Sequence, residues 1–212
     1  MDILQRIREE ADHVVDIPEA ERLEPIHQRG LQRVFGALRM LLGFTFLWAF
    51  LDKAFALGFA TGRLEDGTID FFAKGAAWFN GGSPTEGVFA FALNGPFKGF
   101  YEAIGGVEMT AQGPVATGNG WIDVVYMASM LLIGLGLITG VMTRIAAAGG
   151  IVWMAVFYTA TSIWPENNPV IDDHIVEILV LVALILANAG RYYGLGKIWQ
   201  RIPYVKARPV LY

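Results

Sequence analysis

Four apolar runs of helical length divide the chain. Trp121 to Val141 carries one charge, Asp123, at its start; Ile145 to Trp164 carries none; Asp173 to Gly190 is uncharged from Ile178 onward. An earlier run, about Val34 to Ala60, is interrupted by Arg39 near one end and by Asp52-Lys53 near the other. About twenty apolar residues suffice to cross a bilayer as a helix, so the pattern predicts four transmembrane helices. The two interruptions of the first run lie about 20 Å apart along a helix, so Arg39 and Lys53 are expected to snorkel to opposite headgroup layers. Asp52 has a shorter side chain and needs a partner, expected from a Lys or Arg of another outer segment or from a donor in the turn 166–174.

Residues 1–33 are polar, with eight acids and five arginines, and lack the apolar stretch and small-residue cleavage site of a signal peptide. Ile3, Leu4, Ile7, Ala11, Val14 and Val15 recur there at helical spacing, predicting a short amphipathic helix that lies on the membrane surface or packs on protein. The stretch 61–120 holds Phe71, Phe72, Trp78, Phe79, Phe89, Phe91, Phe97, Phe100 and Tyr101, too many aromatics for a solvated loop. Ser83-Pro84-Thr85-Glu86 reads as a helix start, with Ser83 as N-cap and Glu86 completing a capping box, and Asn94-Gly95-Pro96 as a second. The expected fold is all-α, an integral membrane four-helix bundle (34–190) under an aromatic-rich outer lid of short helices (61–120), with a basic interfacial tail from 191 to 212.

The distribution of charge orients this arrangement. Twelve of the sixteen Lys and Arg residues precede the first span, or enter its start, or lie between spans two and three or after span four. Lys53, Arg63, Lys74 and Lys98 fall on the other side, so the positive-inside rule places both termini in the cytoplasm. The expected location is a prokaryotic plasma membrane. The tail from Arg191 has five bases, no acids and Trp199 among tyrosines, the composition of a segment held by anionic lipid.

Composition narrows the chemistry. The chain is 54% hydrophobic and 17% charged, with net charge −4, which leaves no general basic surface for nucleic acid. There is no cysteine, which excludes disulfides, thiol relays and thiolate-bound iron–sulfur clusters. His174 falls at the outer surface while His13 and His27 are cytoplasmic, so a bis-histidine haem has no second ligand. His174-x-x-Glu177 is a single, reversed copy of the motif that a di-metal bundle needs twice, so no metal is expected. No Gly-rich nucleotide loop follows a strand, and no flavin is expected. Gly136-x-x-x-Gly140 and Ala146-x-x-x-Gly150 read instead as faces for close helix packing.

At the outer level the polar groups converge: Asp52 and Lys53 end span one, Asp123 begins span two, and Trp164-Pro165-Glu166-Asn167-Asn168-Pro169 leads to Asp172, Asp173 and His174. Glu177 lies one turn deeper, and an ionisable group at that depth is a functional candidate because its burial is costly. Helix capping by Asp172 and ordinary interfacial charge account for the shallower acids, and interfacial anchoring for any single Trp.

Several of these stretches together resemble the DoxX/DoxD family of small four-span membrane proteins, which includes the membrane subunit of thiosulfate:quinone oxidoreductase. The resemblance rests on Phe50-Leu51-Asp52-Lys53, Asn80-Gly81-Gly82-Ser83-Pro84-Thr85, Gly95-Pro96-Phe97, Glu166-Asn167-Asn168-Pro169 with Asp172-Asp173-His174, and Ala189-Gly190-Arg191 followed by Gly194-Leu195-Gly196. It covers about residues 34–203 and implies a membrane component of electron transfer to quinone that works with a separate redox or respiratory partner protein.

Two functions follow as expectations. One is a membrane subunit of a quinone-linked oxidoreductase that passes electrons from an outer-side donor to membrane quinone, of ubiquinone or menaquinone type. Quinone reduction consumes two electrons and two protons, so a site needs hydrogen-bond partners for the ring oxygens and a relay to water. His174 and Asn168, with the adjoining Asn167, would contact the headgroup, Glu177 and Asp173 would move protons, and Lys53 would stabilise negative charge on semiquinone or substrate. Trp48 and Trp164 would be packing walls, and Asp52 would belong to the same binding set. The alternative is a non-catalytic structural or assembly subunit of a larger membrane complex, in which the same charges lock helices together. A transporter fits poorly because neither inverted repeats nor broken helices are visible.

Overall fold

The structure is a computed structural model that describes residues 25–111, 113–116, 120–165 and 168–212. The amphipathic helix expected at residues 3–15 lies outside the described residues. The chain divides into a unit ending at Val34 and a second unit, Phe35–Tyr212. In the first, the described residues are helical and 28–34 are exposed.

The molecule is mostly helical. Helix α1 is Pro25–Phe55, α2 Lys98–Gly105, α3 Gly120–Thr139, α4 Thr143–Phe157 and α5 Asp173–Leu186. Among the described residues, three helical segments are long and apolar enough to cross a membrane: Gln28–Phe55, Gly120–Thr139 and Thr143–Ser162, the last being α4 continued through one wider π turn. The fourth predicted span forms a helix of 14 residues. That is roughly 21 Å, short of the ~30 Å hydrocarbon core. It starts where Asp172 accepts the Ile175 amide and stops before Asn188, which takes a left-handed conformation with φ 46°.

One core joins all four long helices within the second unit. Phe46, Phe50 and Ala54 of α1 meet Met127, Met130 and Leu137 of α3, Ala147 and Met154 of α4, and Leu181 and Leu184 of α5. Small residues set the spacing. A Cβ added to Gly43 would stand 2.8 Å from the Ile138 amide nitrogen, and one on Gly134 2.7 Å from that of Leu47, so the backbones of α1 and α3 nearly touch. On the glycine faces picked out in the sequence, Gly136 abuts Ala146, and Gly150 faces Leu181 and Phe46.

Arg39 does not snorkel. It is fully buried, and its guanidinium donates to the carbonyls of Leu137, Ile138 (3.2 Å), Tyr192 (2.9 Å) and Tyr193 (3.1 Å). The last carbonyls of α3 have no intrahelical donor and sit at the negative end of the helix dipole, so a cation inside the fold is better satisfied there than at the headgroups. The basic tail packs against the same end. Arg144 donates to Pro209 O (3.0 Å), its amide to Tyr212 O (2.8 Å), and the Leu195 amide to Thr139 O (2.7 Å). Helices α6 (Gly196–Trp199) and α7 (Pro203–Lys206) fold back so that Val205 is buried and the Trp199 indole donates to Leu211 O (2.6 Å).

The segment between α1 and α3 is less helical than expected. Besides α2 it contains a 3-10 turn, Trp78–Asn80, a π turn, Val88–Ala92, and a short antiparallel hairpin of β1 (Val107–Thr110) and β2 (Gly113–Ala116), a local exception within a mostly helical chain. Gly106, at φ 60°, ends α2 by returning its amide to Glu102 O, and the β-prone Val107 follows. The capping box at Ser83 does not form: among the described residues the buried Ser83 hydroxyl has no partner. Asp123, in the first turn of α3, instead accepts the Thr85 amide (3.1 Å) and hydroxyl (2.7 Å).

Candidate functional site

Lys53, in the last turn of α1, is partly buried, and its ammonium lies 5.9 Å from the centre of the Tyr126 ring. Tyr126 is buried in α3 and meets Trp153 and Phe157 of α4 edge-on at 5.4 and 6.3 Å. Phe157 in turn lies 6.0 Å from the imidazole of His174, in the first turn of α5. Two of the predicted residues, Lys53 and His174, therefore flank one aromatic cluster supplied by the helices between them.

His174 Nδ1 is 2.6 Å from Asp172 Oδ2, while Oδ1 of the same carboxylate accepts the Ile175 amide at 3.2 Å. Burial pushes the Asp172 carboxyl up, but hydrogen bonds from His174, Ile175 and Ser162 outweigh it and hold the group below the usual carboxylate range. Asp172 thus orients the imidazole and caps α5 at once. Glu177 lies one turn further along, partly buried, with no side-chain hydrogen bond or salt bridge among the described residues, though its carboxyl lies within electrostatic reach of His174.

The cluster forms one end of an apolar groove of about 1090 Å³ that follows the seam between α3 and α4. Tyr126, Trp153 and Phe157 wall it, and Lys53 is the one charged side chain among its described lining. Its rim stands open, with Leu132 68% and Val152 61% exposed. Over the Lys53 end lie Thr85, Phe89, Phe100 and Tyr101. Thr85 is held by Asp123, the Tyr101 and Thr159 hydroxyls meet at 2.7 Å, and the Asn94 amide donates to Ala160 O at 2.8 Å.

Of the other predicted residues, Asp52 adjoins this cluster, close enough for its charge to act on Lys53 and Tyr126. Asp52 is buried, but its partners are the Phe59 amide (3.0 Å), the Ala60 amide (2.8 Å) and the Thr61 hydroxyl (3.4 Å). Neither a distant cation nor the 166–174 turn supplies them, because the chain turns back immediately after α1 and presents its own free amides. Trp48 packs on Phe44 and Phe59, at 5.7 and 5.0 Å. Trp164 is 69% exposed at φ 62°. Asn168 closes a local turn by accepting the Val170 and Ile171 amides. Asp173 is exposed, and Asn167 lies outside the described residues.

Tyr126, Trp153, Phe157 and the Thr85–Asp123 contact were not picked out from the sequence. The four-residue spacing of Trp153 and Phe157 does mark a shared helix face. Nothing local signals that Tyr126 meets Lys53, since that pairing joins different helices. Among the described residues no three His, Asp or Glu side chains gather as a metal site would require. The groove instead suits a lipophilic molecule with one polar end. No protein-family profile, curated protein or solved structure matches the chain.

Proposed function

We propose that this protein is the quinone-binding membrane subunit of an oxidoreductase, passing electrons from an outer-side donor on a separate partner protein to quinone in a prokaryotic plasma membrane. The observation that supports it most is the aromatic end of the groove, where Lys53 and His174 approach Tyr126, Trp153 and Phe157 from two sides. A quinone ring stacks on aromatic faces, and its oxygens need donors. In this reading Lys53 donates to one oxygen, His174 stands beyond Phe157 as a protonatable group, and Glu177 carries protons one turn below. Bound quinone would supply a two-electron, two-proton acceptor.

The likeness to the DoxX/DoxD family on the outer motifs supports the same reading. In this reading α5 completes a four-helix bundle, residues 61–120 form an outer lid, and the basic asymmetry puts both termini in the cytoplasm. The expected observation is quinone co-purifying with the wild-type protein and lost from Lys53→Met at unchanged folded yield. A wild-type preparation that neither carries quinone nor takes it up would overturn the proposal.

A structural or assembly role is the second reading, favoured by a specific feature. Asp52, Asp123 and Asp172 all accept backbone amides, as locks and caps do. It predicts the same folded yield with no quinone bound.

A further inference from the structure

Resting on that reading, we infer that the α3–α4 seam is a tail channel, which holds the apolar chain of a long-tailed quinone over a length that no single phospholipid acyl chain fills. Lining positions recur along α3 at Ile122, Tyr126, Ser129, Ile133, Gly136 and Thr139, every three or four residues, and so form one stripe. This stripe is about 26 Å long. Facing it on α4, Ala146 and Gly149 leave a furrow between the rims at Leu132 and Val152.

Length and polarity together choose the occupant. One leaflet contributes about 15 Å to the hydrocarbon core, so a phospholipid with its head at Lys53 ends near the midplane. The seam continues past that depth to Thr139 and Ile145 at the opposite end. A chain that fills it is longer than one leaflet and carries a single polar end, because Lys53 supplies the only charge in the described lining. Lipid tails are as apolar as the furrow, so leaving the bilayer brings no hydrophobic gain. Residence depends on packing against the seam and on the head contacts, and filling the furrow should displace the tail while sparing the head.

The test uses the full chain in vesicles of phosphatidylethanolamine and phosphatidylglycerol with two photoreactive quinones, one with its diazirine beside the ring and one at the end of a long tail. The ring probe should label Lys53, Tyr126 or Trp153, the tail probe residues 136–145, and excess unlabelled quinone should compete with both. In Ser129→Trp, tail labelling of the seam should fall about tenfold while ring labelling persists. Val152→Trp, on the exposed rim, provides the same block without burying the new ring and serves if the first variant fails to fold. Tail labels spread equally over Leu41 of α1 and Leu186 of α5, or seam labelling unchanged in a folded Trp variant, would overturn the tail channel while ring labelling upholds the quinone site. Absence of competable ring labelling would overturn the quinone reading and the channel with it.

Discussion

Arg39 reaches across the fold to donate to the Tyr192 carbonyl at 2.9 Å, tying α1 to the chain just beyond α5. The same guanidinium caps the end of α3 at Leu137 and Ile138, so one buried cation joins three elements. Replacing it with Leu leaves several buried carbonyls without a donor, at about 1–3 kcal/mol for each group that stays dry. Arg39→Leu should therefore lower the melting temperature and release the tail, read as faster proteolysis at Lys197 and Arg201. A tail as resistant as wild type would show that the remaining contacts hold it alone.

Gly43 tests the close approach of α1 to α3. Its Cβ would meet backbone at Ile138, which cannot swing aside as a side chain can. Gly43→Ala should destabilise by about 1–3 kcal/mol, as overpacking does, whereas Gly30→Ala, with open space around it, should be neutral or mildly stabilising. Equal effects in a denaturation series would contradict the packing described.

Asp172 gives a pH dependence whose sign follows from its lowered folded-state value. A carboxyl held below its unfolded value, about 3.9, stabilises fully above that pH and loses this contribution as pH falls through the folded value. Asp172→Asn keeps a cap and removes the charge. The stability gap between the two proteins should close as pH falls below about 4, where the carboxylate is protonated. A gap that persists in strong acid would reverse the assignment.

Glu177 separates a proton relay from a lock. With no salt bridge to Glu177 among the described residues, Glu177→Gln should not destabilise the fold by the several kcal/mol that breaking a buried pair costs. If the residue carries protons to bound quinone, turnover per folded molecule should nonetheless fall about 10²-fold. Unchanged specific activity would remove it from the mechanism.

Orientation is read with a reporter active only in the cytoplasm, fused after Tyr212. Activity is expected from the twelve-to-four basic asymmetry. Activity of a reporter that works only outside would invert the proposed topology.

Hydropathy by itself located α1, α3, α4 and the apolar part of α5, because burying twenty apolar residues in lipid or protein needs no knowledge of neighbours. It also named Lys53, Asp172 and His174 as polar groups of one level. It ran α5 past its C-terminal end, since the cap at Asp172 and the left-handed Asn188 limit the helix to 14 residues within a longer apolar run. The partners of the buried ions were decided only by the tertiary structure. A guanidinium or carboxylate goes to the nearest backbone groups left unsatisfied, and where these lie depends on where the chain turns. Hence Arg39 sits under α3, Asp52 holds the 59–61 loop, and Asp123 takes Thr85 rather than leaving it to a capping box. The groove is likewise a property of two helices side by side, because a furrow exists only where the small residues of one face those of the other.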